Sequence, residues 1–243
     1  MKALWAQSVA EVRMTISRGE TLLLTVGIPV LLLVFFSQAH VIATPTQRRI
    51  DFIAPGILAL CVLSTSLVAM SIATGFERSF GVLRRLHVTP LGRRRLVGAK
   101  VASVIATEVI QISLIALVAL LLHWRPRGGL VGASEVAAIL LLGSAGCAGV
   151  GLALAGRLKA EVNLAASNGL YLVLLLVSGI VVPLSSLPSF VRRAVVALPS
   201  GAMAEGVHRV LGQGLGASLT DWLVLGLWAV VAPLFAARTF RFN

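Results

Sequence analysis

An all-α membrane protein is the fold class this sequence predicts. Three observations carry the prediction: charge is scarce, long uncharged apolar stretches recur, and the basic residues gather between those stretches. Charged residues are 12% of the 243 and apolar ones 58%, with mean hydropathy +0.96, where an ordinary soluble domain carries roughly 25% charge. A water-soluble fold of this length has no interior large enough to hide that surface. At about 20 residues per span, six spans use about half of the chain and leave short connections with no room for a soluble catalytic domain.

Taken in order, residues 1–20 are expected to form an amphipathic helix on the membrane surface. Trp5, Val9, Val12 and Ile16 recur at helical spacing, while Lys2, Gln7, Glu11, Arg13 and Arg18 lie off that stripe. The transmembrane domain then fills 21–243, with six spans expected over 21–38, 52–74, 101–122, 133–155, 163–182 and 220–237. Ser37-Gln38-Ala39 has the small residues of a signal-peptide cleavage site, but Glu11 and Glu20 precede the apolar run and signal peptides begin with a short basic segment, so the first span is expected to remain. Pro233 lies in the last span, one of the two shortest, which Trp222 and Arg238 would anchor at the two interfaces.

Orientation follows from the 21 Lys and Arg residues. Lys2, Arg13, Arg18, the seven from Arg78 to Lys100, Arg157, Lys159, Arg238 and Arg241 fall on one side of the membrane. Only Arg48, Arg49, Arg125, Arg127, Arg192, Arg193 and Arg209 fall on the other. Short cytoplasmic loops collect positive charge, so both termini are expected in the cytoplasm. The formal net charge of +12 is a topology signal of this kind and not a nucleic-acid surface, because no polar face interleaved with aromatics accompanies it. Few Lys beside many Arg, Ala, Leu and Val resembles the usage of a GC-rich bacterial genome, and the expected location is a bacterial cytoplasmic membrane. Cys61 and Cys147 both fall inside spans and indicate neither a disulfide framework nor a thiolate metal cluster.

The loop after the second span is the most informative stretch, reading E-R-S-F-G-V-L-R-R-L-H-V-T-P-L-G-R-R-R from Glu77. Val82, Leu83 and Leu86 make a short apolar side flanked by Arg84 and Arg85, and Pro90 disfavours helix at Thr89, so a short amphipathic helix and then a turn are expected. The stretch resembles the permeases of the ABC-2 type exporter family, whose loop reads roughly acidic-Arg-x-x-Gly-x-Leu-basic-x-Leu-x-x-Thr-Pro-Leu. Glu77, Arg78, Gly81, Leu83, Arg84, Leu86, Thr89, Pro90 and Leu91 match it, and Phe80 and Val82 depart mildly. The resemblance implies that these residues, with Arg85, form a coupling helix that docks on a separate ABC ATPase subunit. It also implies a second permease copy, identical or related, and ATP and Mg bound by the partner ATPase with no cofactor or metal in this chain.

Ser178-Gly179-Ile180-Val181-Val182-Pro183 resembles the same family's exit from the fifth span into outer re-entrant helices. About forty residues separate that exit from the sixth span, and Pro183, Pro188 and Pro199 punctuate two apolar segments, near Ser189 to Leu198 and Gly201 to Leu211. Both are expected to dip into the outer leaflet, with Arg192 and Arg193 at the level of the lipid headgroups.

Glu108 and Gln111 form a possible polar site inside the third span, where a carboxylate at a helix centre costs about 2.5 to 3.5 kcal/mol and demands a partner or water. A snorkelling structural residue is the alternative. Glu135 is expected at the interface, and the small residues from Gly143 to Gly151 are expected to admit a neighbouring backbone, in the same subunit or in another. The chain has no phosphate-binding Gly-x-x-x-x-Gly-Lys-Ser/Thr loop, no metal-ligand spacing among His40, His87, His123 and His208, and no Gly-x-Ser-x-Gly elbow. The expectation is therefore a transporter membrane subunit and not an enzyme, moving an amphiphilic or lipid-like molecule, a drug or antibiotic for example, outward. A proton-coupled secondary transporter using Glu108 and a membrane-embedded lipid-modifying enzyme are the alternatives.

Overall fold

Backbone N–H and C=O groups in hydrocarbon have no water to bond, so an apolar stretch of this kind closes its own hydrogen bonds as a helix. The computed structural model describes residues 19–38, 48–81, 92–180 and 183–239, and the described residues are helical with no strand. In chain order the helices are α1 (Gly19–Gln38), α2 (Ile50–Ser79), α3 (Gly92–Leu121), α4 (Gly129–Ala155), α5 (Ala160–Val177), α6 (Ser189–Val196), α7 (Pro199–Val207) and α8 (Leu219–Thr239). A short 3-10 turn at Leu184–Ser186 precedes α6, and a π-helical turn, His208–Gln213, extends α7.

Among the described residues, five segments are long and apolar enough to cross a membrane: α2, Val101–Leu121 of α3, α4, α5 and α8. Helix α1 covers the expected first span. The expected surface helix over 1–20 lies outside the described residues except for its last two positions, which begin α1.

Several boundaries differ from expectation, the largest being the start of α3, which begins at Gly92 instead of 101 and takes in Arg93, Arg94 and Arg95. Helix α2 runs past Thr74 to Ser79 and so carries Glu77 and Arg78 on its last turn. Helix α5 stops at Val177 instead of 182, because Gly179 takes a left-handed conformation (φ +79°) that a glycine reaches without the Cβ clash. A Cβ there would also lie 2.8 Å from the Leu184 side chain. The two segments expected near Ser189 to Leu198 and Gly201 to Leu211 are α6 and α7 with its π turn.

Helix α2 is the hub: 83% of its apolar window is buried, against 22% for α3 and α8 and 17% for α5. Its middle turn, Leu63–Ala69, is π-helical. Hydroxyls that bond back to the backbone compete with the regular ladder, and Ser64 and Ser66 donate to the Cys61 and Val62 carbonyls at 3.0 and 2.6 Å at this point. The small residues of α4 meet neighbours in the same chain. A Cβ on Gly149 would fall 2.5 Å from the Ala232 carbonyl carbon and the Pro233 nitrogen of α8, and one on Gly151 would fall 2.7 Å from the Leu67 carbonyl oxygen of the π turn. Gly146 faces Trp228 of α8, and Gly143 faces Met203 of α7. The backbone contact that sequence left open between two subunits is made here within one, and it sets the most extensive helix pair of the fold, α4 with α8.

Candidate coupling end and polar interior

Glu77, Arg78 and Gly81 lie at the end of α2. Leu83, Arg84, Arg85, Leu86, Thr89, Pro90 and Leu91, with the rest of the expected coupling helix, lie outside the described residues. The last turn of α2 closes through Phe80 N–H to the Phe76 carbonyl (2.9 Å) and Gly81 N–H to the Arg78 carbonyl (3.0 Å). Gly81 adopts φ +70° in open space, with nothing within 4 Å of where a Cβ would stand, so its requirement is the left-handed turn that ends the helix. Phe76 and Phe80 stack at 6.0 Å, and Phe80 is 71% exposed.

Arg78 is committed inside the chain. Its guanidinium donates to the Leu158 carbonyl, in the turn between α4 and α5. Two turns deeper, α2 is tied to α5 by side chains: Ser71 Oγ donates to Asn163 Oδ1 (3.0 Å), Asn163 Nδ2 donates to the Ser71 carbonyl (2.9 Å), and Ser167 Oγ donates to Ser71 Oγ (2.9 Å). All three side chains are buried, and Gly75 gives Asn163 the space it occupies: a Cβ there would sit 2.7 Å from Nδ2. Sequence reading passed over this cluster, although Asn163 and Ser167 stand one turn apart and a buried polar pair on one face of an apolar helix needs a partner. The α2 end, the α4–α5 turn and the start of α5 are thereby one hydrogen-bonded unit. Arg78→Ala is expected to lower stability by about 1 to 2 kcal/mol, the loss of one charged hydrogen bond at a part-buried position, read as a fall in the thermal midpoint of the purified protein.

Glu108 and Gln111 are both deeply buried, at 3% and 0% exposure. Ser144 of α4 donates to Glu108 Oε1 at 2.8 Å, and Thr65 in the π turn of α2 donates to Gln111 Oε1 at 2.7 Å. The two side chains one turn apart on α3 therefore clasp two different helices. Glu108 faces the bundle and does not snorkel to an edge. Glu135 accepts the Ala217 backbone N–H at 2.7 Å and so fixes the segment before α8.

At the other end of the bundle, α7 is held by its surroundings. Arg127 N–H bonds the Leu211 carbonyl and its guanidinium the Gly212 carbonyl, at 3.0 and 2.8 Å. Ser178 donates to Ser200 at 2.8 Å, and His208 stacks on Phe52 of α2 with ring centres 4.4 Å apart. Burial pushes the His208 imidazole down to about 4, against a backbone hydrogen bond to Gly179 that favours its protonated form. Burial, and then the charge of Asp221, raise the Glu205 carboxyl, with Arg209 opposing.

No curated protein matches the sequence. The family model described as ABC-2 type transporter matches residues 2–211, which takes in α1 to α7, the basic loop and the buried polar contacts of α2 with α3 and α5. The arrangement is that of a multi-pass helical membrane protein, and the chain belongs to the ABC-2 type transporter family.

Proposed function

We propose that this chain is the membrane subunit of an ATP-driven exporter whose ATP and Mg are bound by a separate ABC ATPase. In this reading six helices cross a bacterial cytoplasmic membrane, with α1 as the first span, both termini inside and the α2–α3 loop in the cytoplasm. The supporting observation is the end of α2. The most buried of the five apolar spans carries Glu77 and Arg78, where the stretch that resembles the family's coupling motif begins, on its last turn, and Arg78 ties that turn to the α4–α5 turn. A push on that loop is delivered to a unit of two helices and one turn, as a switch between packed arrangements requires. The π turn of α2, clasped by Gln111, is the point where the helix departs from regular geometry.

Two permease copies, identical or related, would pair around the path, and α6 and α7 would lie in the outer leaflet. The cargo is an amphiphilic or lipid-like molecule of the kind that includes drugs and antibiotics. Co-reconstituted with its ATPase in liposomes, the chain is expected to move such a cargo only in the presence of ATP and Mg. Cargo movement by the chain alone, driven by a proton gradient and lost in Glu108→Gln, would replace this reading with a secondary transporter.

A further inference from the structure

Helix α2 is one rod in the chain but two in its packing. Its first half, Ile50–Val62, lies chiefly against α1, α3 and α7, and Phe52 there stacks on His208. Its second half, Met70–Ser79, lies against α4 and α5, to which the Ser71–Asn163–Ser167 bonds and the Arg78 bond tie it. The π turn Leu63–Ala69 stands where the neighbours change.

Both halves are α-helical, and the change of ladder is confined to the joint. Leu63 N–H still reaches the Ala59 carbonyl, four residues back, whereas Met70 N–H reaches the Thr65 carbonyl, five residues back. The turn therefore holds one residue in excess of the α ladder. One residue of α-helix is about 100° of rotation and about 1.5 Å of rise, so taking up that excess re-aims the second half against the first. In hydrocarbon such a rearrangement strands carbonyls unless side chains supply donors. This segment has hydroxyls at three successive positions, Ser64, Thr65 and Ser66, and Ser64 and Ser66 already cover the Cys61 and Val62 carbonyls.

Two neighbours hold the joint. On α4, Gly151 leaves room for the Leu67 and Ser66 carbonyls, which would stand 2.7 and 3.3 Å from a Cβ there. On α3, the buried Gln111 accepts the buried Thr65 hydroxyl at 2.7 Å, which fixes the π turn to a helix that packs on the first half. We propose that the π turn is the hinge of α2 and that Gln111 is its latch: the second half, with the coupling end, swings against the first when the Thr65–Gln111 bond opens. Its use in transport rests on the exporter reading above; the hinge itself does not.

Hydrogen exchange read by mass spectrometry, on the full chain in lipid nanodiscs, tests it. Amides of residues 63–70 are expected to exchange at least tenfold faster than those of either flanking half. Deleting Ala69, an exposed residue, turns the Met70 bond to Thr65 into an ordinary four-residue one and is expected to slow the segment to the rate of its flanks. Thr65→Val keeps the shape and removes the donor; it is expected to speed exchange of the π turn at least threefold without speeding the flanks, and Thr65→Ser to keep the wild-type rate. Thermal melts establish that the deletion variant is folded; if it is not, the two Thr65 variants decide. A wild-type π turn as slow as its flanks, or equal rates in Thr65→Val and Thr65→Ser, overturns the proposal. In liposomes with the ATPase and ATP, the folded deletion variant is expected to move cargo at less than a tenth of the wild-type rate, and undiminished transport by it also overturns the hinge. The exchange assay contains no nucleotide and no ATPase, so a negative result there removes the hinge and leaves the exporter reading standing. A wild-type chain that moves no cargo under ATP does the reverse.

Discussion

Leu83→Asp is expected to abolish co-purification of the ATPase while leaving the chain inserted in the membrane at its normal level. Val82, Leu83 and Leu86 are the apolar side of a segment otherwise crowded with arginine, and an apolar anchor seated in a partner's groove is the kind of residue on which binding energy concentrates. A loss of about 2 kcal/mol at such an anchor weakens association roughly thirty-fold, and burying a carboxylate there adds a desolvation penalty. Arg84 and Arg85 flank that side. Changed together to Ala, they are expected to slow association and blunt its salt dependence, since charges at the rim of an interface act mainly on encounter. Fluorescence-detected gel filtration of the tagged chain reads insertion, and affinity capture of the ATPase reads docking. Full capture by Leu83→Asp would remove the coupling assignment. The Arg78→Ala variant serves as the contrast, because its guanidinium is spent on Leu158 within the chain and its loss is a matter of stability before it is one of docking.

The fold was legible in the sequence wherever the physics is one-dimensional. A run of uncharged apolar residues has one low-energy outcome in a bilayer, and α2, α3, α4, α5 and α8 stand where those runs stand. The prolines marked the limits of α6 and α7, because φ and N–H restrictions act locally, whereas the end of α5 was expected at 182 and the left-handed Gly179 brings it back to Val177. Span ends were less legible: polarity alone put the end of α2 at Thr74, but a helix already begun continues through Glu77 and Arg78 until Gly81 stops it. Partners across the bundle were not legible at all. Glu108 was found as an anomaly, yet its bond to Ser144 joins residues 36 positions apart, and Ser71 with Asn163 joins residues 92 apart. Seven of the ten coupling residues lie outside the described residues, so there the motif itself still carries the assignment.

Gly149→Ala and Gly226→Ala are expected to shift stability in opposite directions, although each adds one methyl group to an apolar helix. At Gly149 the new Cβ would stand 2.5 Å from backbone atoms of Ala232 and Pro233, which cannot turn aside as a side chain can. Helices α4 and α8 must then separate, and with them the contacts that Gly146 and Gly151 make with Trp228 and the π turn of α2. Overpacking of a close interface costs about 1 to 3 kcal/mol, and in hydrocarbon no hydrophobic gain between helices offsets the lost packing. Gly226, on α8 itself, has nothing within 4 Å of that position, so alanine there brings only its better helix propensity, up to about 1 kcal/mol. Thermal unfolding in detergent compares the two directly. A shift of the same sign for both would mean that α4 and α8 do not meet at Gly149. Opposite signs would establish the close contact at Gly149, and a Gly149→Ala loss that does not change on dilution of the protein would place it within one subunit, since a contact between copies makes the loss depend on concentration.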